Sequence, residues 1–180
     1  MIGDRSRALL TRLLEVVVIL LMVTLTAVVV LAVVYRKLGH SFSWYDEVAS
    51  ILLAWLTYYG AALAALRRAH IGVDRIVLSL PPGARMAAVL FAELCVLGFF
   101  ALMAWTGWQV LVVLEGMRLI SLTWVPVQLT QSVIPIGGAL FVLCQLVSFP
   151  AYWRRMREGL SAEDVELAEH AALEAGKDPP

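Results

Sequence analysis

Residues 16–35 read VVVILLMVTLTAVVVLAVVY, twenty in succession without a charge. At about 1.5 Å of rise per residue, a helix of that length crosses the roughly 30 Å hydrocarbon core of a bilayer. Inside lipid, a lone segment satisfies its own backbone donors and acceptors only as a helix. The stretch therefore predicts a transmembrane helix over about residues 14–35. Arg5, Arg7 and Arg12 precede it as in a secretory leader. The run is too long for a leader core, however, and no small-x-small cleavage pattern follows Val30 before Tyr35, Arg36 and Lys37, so an uncleaved anchor is expected.

Working outward, three more apolar runs follow at 48–66, 94–114 and 119–153. They predict membrane helices over about 47–66, 86–114 and 133–153. The last run exceeds one span, and Pro126 and Pro135 interrupt its first half. Residues 121–131 are accordingly expected to form an irregular or short helical approach at the membrane surface, with Trp124 as an interface anchor. The composition agrees, with 61% of the 180 residues hydrophobic and 16% charged, against roughly 25% charged in a typical soluble domain. A chain this short has too little interior to bury that much apolar surface, which excludes a conventional soluble enzyme. Fourteen basic residues balance fourteen acidic ones. With no basic stripe interleaved with aromatics, nucleic acid is not an expected partner. Membrane lipid is.

The basic residues alternate between the connections. Three precede the first span, four lie between the second and third (Arg67, Arg68, Arg75, Arg85), and three follow the fourth (Arg154, Arg155, Arg157). Two lie between the first and second spans and one, Arg118, between the third and fourth. The positive-inside rule then puts both termini in the cytoplasm. The expected fold is an all-α integral membrane protein with four transmembrane helices. Residues 1–157 form the membrane domain and 158–180 an acidic cytoplasmic tail, which with Glu158 holds half of the acidic residues.

Several local patterns carry structural expectations. Ser43 is placed to cap the second helix, with Asp46 and Glu47 near the positive end of its dipole. The competing reading of Glu47 is an ion or partner-arginine site on the outer face. Gly60 with Ala64, and Ala61 with Ala65, form small-xxx-small pairs that permit close approach of another helix. Tyr58 or Tyr59, Gln109 and Gln145 are expected to face other helices and form hydrogen bonds there, rather than line a substrate path. Glu15 and Glu93 fall near helix ends and read as boundary carboxylates reaching water or a nearby basic residue. Glu115 and Arg118 are spaced to pair. Cys95 and Cys144 read as small core hydrophobes, since neither belongs to a C-x-x-C pattern.

Between the second and third spans, His70, Asp74 and Arg75 belong to a segment that reads as an amphipathic interfacial helix, ended by Pro81 and Pro82, which also start the third span. One His and one Asp fall short of a metal site. No cofactor is expected: the three histidines, His40, His70 and His170, lie outside the spans, where a haem would need its axial ligands.

The residues from Trp44 to Arg85 also carry a family pattern. A polar helix start with Glu47 is followed by Leu53, Trp55, Gly60, Ala61 and Ala62. Arg67, His70, Ile71, Val73 and Asp74 come next, then Leu80, Pro81 and Arg85. This resembles the small membrane subunit of tripartite ATP-independent periplasmic (TRAP) transporters, the DctQ type. Pro126 and the Pro135-Ile136-Gly137 step are similar to the same family, so the resemblance covers most of residues 10–155. Leu122-Thr123-Trp124-Val125-Pro126 departs from the family's usual wording before the fourth helix.

The resemblance implies a non-enzymatic scaffold in the bacterial inner membrane. It would pack beside a large permease that holds the sodium and substrate sites, while a periplasmic solute-binding protein delivers an organic acid such as a C4-dicarboxylate. Subunit contact is expected at Glu47, Gly60, Ala64, Arg67, Arg68, His70, Asp74, Arg75 and Arg85. Rival readings are a membrane redox subunit, a small enzyme acting on lipophilic substrates, and an exporter coupled through Glu15. The first lacks intramembrane histidines. The second would need Gln109, Tyr58, Tyr59 and Glu93 gathered at one depth.

Overall fold

The computed structural model describes residues 2–40, 42–68 and 77–159, with side chains from Arg7 onward. Among them are five helices: α1 (Ile2–Lys37), α2 (Tyr45–Arg67), α3 (Pro82–Val113), α4 (Val127–Gln131) and α5 (Val133–Glu158). Four segments are long and apolar enough to cross a membrane, Arg7–Lys37, Tyr45–Arg67, Pro82–Val113 and Val127–Glu158, the last containing both α4 and α5. The helices overrun the apolar runs at several ends. α1 begins about three turns before the expected start and α5 continues through Arg157, because a helix loses nothing by extending charged side chains beyond the hydrocarbon. His70, Asp74, Arg75 and most of the expected interfacial helix lie outside the described residues, as does the tail from 160.

Helix ends follow local chemistry. Pro81 and Pro82 start α3, Pro82 taking a first-turn position whose missing N–H is no loss. At α2 the expected Ser43 cap is absent: Trp44 is the N-cap residue and there is no side-chain cap hydrogen bond. Trp44 already has helical dihedrals, φ −94° and ψ −14°, and its carbonyl accepts from Val48 N at 3.1 Å. Ser43 is thereby left one residue outside the capping position. α2 ends where Arg68 turns left-handed at φ 53° and bonds back to Ala64 O and Ala65 O.

The spans pack in a row, α1 against α2, α2 against α5, and α5 against α3. Position in this row governs burial. α5 has partners on both sides, and Val133, Gly137, Phe141, Cys144, Gln145 and Ser148 are buried along it. α1 lies at the edge, where Leu14 and Ala32 are its only buried side chains among those described. Leu14, Ala62, Ala65, Leu66, Phe141 and Cys144 form the core. Phe100 of α3 stacks on Phe141 with ring centroids 3.6 Å apart, worth about 0.5–1.5 kcal/mol beyond area burial. Cys95, in contrast to the expectation, is exposed on the outer side of α3.

Glycine allows the close helix contacts, though not at Gly60. A Cβ on Gly137 would lie 2.7 Å from Tyr58 Cβ, and one on Gly107 would lie 2.8 Å from Ile134 Cγ2. Around Gly60 there is open space.

Between α3 and α4 the chain forms the irregular approach expected of it. Leu119 N donates to Val125 O at 3.1 Å and Val127 N to Met117 O at 3.0 Å, closing an isolated antiparallel bridge between Arg118 and Pro126. Trp124 projects from this turn, 75% exposed.

Candidate functional site

The densest polar arrangement lies where α2, α3 and α5 meet. Arg68 is turned inward by the left-handed bend at the end of α2. Its Nη1 donates to Glu93 Oε2 at 2.9 Å and its Nη2 to Glu93 Oε1 at 2.8 Å. Nε donates to Ser148 Oγ at 2.8 Å, and Nη2 also reaches Gln145 O at 3.1 Å. The Tyr152 ring lies beneath, 4.6 Å from the guanidinium carbon. Gln145 Nε2 donates to Glu93 Oε2 at 3.1 Å, and Ser148 Oγ donates in turn to the carbonyls of Ala65 or Gln145, at 3.1 and 3.0 Å. A non-glycine residue in the left-handed region costs on the order of 1 kcal/mol. The two-pronged guanidinium–carboxylate pair offsets that cost.

Glu93 is therefore only half the boundary carboxylate that its position suggests. It has its basic partner but little water, being 6% exposed. The missed signal is its register: Val89, Glu93, Phe100, Ala104 and Gly107 fall at helical spacing along the face that α3 turns toward α5. Glu15 fits its expectation more fully, pairing with Arg67 at the accessible seam between α1 and α2. Arg7 Nη2 adds a bond to Leu66 O at 3.2 Å. Adjacent arginines thus hold opposite neighbours, Arg67 holding α1 and Arg68 holding α3 and α5.

At the other end, Glu47 neither caps its own helix through a hydrogen bond nor stands free for an ion. Its carboxylate accepts from Ile120 N at 3.2 Å and Ser121 N at 3.0 Å, while Ser121 Oγ donates to Ser43 O at 3.1 Å. Glu47 thus anchors the turn between α3 and α4. Trp55 Nε1 donates to Thr130 O at 3.0 Å and Gln128 Nε2 to Leu111 O at 2.9 Å. Arg118 does not pair with Glu115; its Nη1 reaches Thr123 O and Trp124 O, both at 3.3 Å. Closing the bridge with Pro126 carries Arg118 toward those carbonyls.

The other expected contacts divide. Tyr58 faces a neighbouring helix, its hydroxyl 3.8 Å from Met103 Sδ on α3. Gln145 bonds between helices as expected. Gln109 does not: it is exposed near the end of α3, on the side away from α5, and has no hydrogen bond among the described residues. Gly60 and Ala64 lie on an outward stripe of α2 with Leu53, Thr57 and Arg67, of which Leu53, Thr57 and Arg67 are exposed. Arg85 lies at the start of α3 and donates to Leu78 O, Leu80 O and Met156 O at 3.0, 3.3 and 3.4 Å. Glu47, Arg68 and Arg85 are thus engaged within the chain, far from the Gly60 face or turned away from it. Among the described residues, no three His, Cys, Asp or Glu side chains gather as a metal site would require.

Four apolar spans, apolar outer surfaces and a buried Arg68–Glu93 pair between helices define a small multi-pass membrane protein. Residues 25–155 match the model of the DctQ component of the tripartite ATP-independent periplasmic transporters. The chain belongs to that family and is a small permease subunit of a bacterial TRAP transporter. It is also similar to the sialic acid TRAP transporter small permease protein SiaQ of Vibrio cholerae serotype O1, with 28% identity over 145 residues, covering 78% of this chain and 81% of that protein. Membership implies association with a large permease and a binding protein.

Proposed function

We propose that the chain is a non-catalytic scaffold that holds the large permease in place during sodium-coupled, binding-protein-dependent uptake of an organic acid. The observation that carries this reading is the Arg68–Glu93 pair. The buried ionisable groups of the spans are bonded to each other across α2, α3 and α5, an arrangement suited to fixing helices and unsuited to binding and releasing a charged substrate. The organic-acid class is supported by the family and by the similar protein, whose name assigns it to a sialic acid transporter. C4-dicarboxylates belong to the same carboxylate class and are retained in the proposal.

The proposed location is the inner membrane with both termini in the cytoplasm, supported by the alternation of basic residues. The Arg68 end would then face the cytoplasm and the Glu47 end the periplasm. The proposed contact with the large permease includes the Gly60 and Ala64 stripe and the chain from Arg67 to Arg85. Open space around Gly60 supports the first part.

The test is extraction of the tagged full chain from membranes that co-express its genomic neighbours. The proposal expects a large permease to co-purify. Recovery of a solitary, stable chain with transport activity of its own would overturn it.

A further inference from the structure

We propose that the end of the protein bearing Arg68 contains a binding site for a phosphate anion, built on Arg85 and Arg155 where α3 and α5 meet. Glu15 and Glu93 pair there with Arg67 and Arg68. Among the described residues of the same end, Arg7, Arg12, Arg85, Arg154, Arg155 and Arg157 remain against Glu158. None of these six forms an ion pair with a carboxylate among the described residues.

Two of them each have one nitrogen shielded from water. The Nε atoms of Arg85 and Arg155 are buried and have no hydrogen-bond acceptor among the described residues. Arg85 directs its terminal nitrogens to the carbonyls of Leu78, Leu80 and Met156. Arg155 has its guanidinium carbon 5.5 Å from the Tyr152 ring centroid. The bond to Met156 O brings Arg85 to the last turns of α5, where Arg155 is the preceding residue. A carbonyl or a ring face attracts a guanidinium but does not neutralise it, and an N–H shielded from water without an acceptor is unfavourable. A phosphate supplies both the missing charge and acceptor oxygens suited to guanidinium donors.

Position points to where such a group would come from. Arg155 lies two residues beyond Trp153, where the last apolar run ends. Basic side chains where two helices meet at that depth are suited to an anionic lipid headgroup. Free phosphate shares the chemistry, so the experiment separates the two sources.

The full chain, delipidated in neutral detergent, is incubated with equal amounts of phosphatidylglycerol and phosphatidylcholine, and retained lipid is measured by native mass spectrometry. In parallel, inorganic phosphate is titrated against the thermal unfolding of lipid-free protein. The expected result is a preference of roughly fivefold for phosphatidylglycerol, the scale of one surface arginine's attraction to anionic lipid. Arg155→Gln should abolish that preference. Arg118→Gln, which removes a charge at the opposite end, should leave it intact. Among the described residues Arg155 makes no side-chain hydrogen bond, so its variant carries the test even if Arg85→Gln misfolds. Stabilisation by phosphate without lipid preference, lost in Arg155→Gln, would also support the site and identify free phosphate as its ligand. Absence of both effects, or persistence of either at full strength in Arg155→Gln, would overturn the proposal.

Discussion

Arg68 closes both terminal guanidinium nitrogens on the carboxylate of Glu93, at 2.9 and 2.8 Å, and so ties the end of α2 to α3. Their side chains are 13% and 7% exposed, and a pair this deep is expected to fail abruptly when halved. Arg68→Ala or Glu93→Ala should each destabilise the fold by about 3–5 kcal/mol, since each strands a buried charge. Replacing both together, as Arg68→Met with Glu93→Leu, should recover most of the loss. Unfolding of detergent-solubilised protein measures all three. Single variants within about 0.5 kcal/mol of the parent, the range of ordinary surface substitutions, would show that the pair does not hold the helices.

Gly137 and Gly60 make opposite predictions for the same substitution. Gly137→Ala places a Cβ 2.7 Å from Tyr58 Cβ and must push α2 from α5, at a cost of about 1–3 kcal/mol for overpacking. Gly60→Ala meets open space and should be neutral or stabilising by up to about 1 kcal/mol from helix propensity. Equal effects at the two sites, in the same unfolding assay, would contradict the packing row.

Glu47 anchors the turn at the opposite end through the amides of Ile120 and Ser121. Glu47→Ala removes both acceptors. Hydrogen exchange at those two amides should accelerate by roughly tenfold, corresponding to the loss of a charge-assisted bond at a partly exposed site, while exchange in the middle of α5 stays unchanged. Unaltered protection at 120 and 121 would mean that the Arg118–Pro126 bridge holds the turn by itself.

The outward stripe of α2 predicts a defect in assembly alone. Gly60→Leu with Ala64→Leu should leave the isolated chain folded, because nothing in it packs against Gly60. Recovery of the large permease by co-purification should fall severalfold, as bulky side chains prevent close helix approach. Undiminished recovery would remove this face from the proposed contact.

These contrasts also mark what could be read from sequence. The spans were legible because lipid imposes one rule, uninterrupted apolar length, which residues 16–35 and 94–114 meet without help from tertiary structure. The order of packing was not, because helices apolar on every side carry no polar face to distinguish lipid from neighbour. Gly107, Gly137 and Gly138 held part of that information, yet Gly60 has the same residue type and faces open space. Glu93 shows a second limit. Its partner is 25 residues away across a chain reversal, and only the left-handed turn at Arg68 brings them together. Glu47 met the positional rule for a helix start, but its hydrogen bonds go to a turn more than 70 residues later.

The proposed role is support of transport by another subunit, without transport by the chain itself. Sodium-driven uptake of an organic acid into vesicles holding the large permease and supplied with the binding protein, with and without this chain, tests that claim most directly. The account predicts uptake that requires the chain, and none when the chain is reconstituted alone. Full uptake by the permease without it, or uptake by the chain alone, would contradict the account.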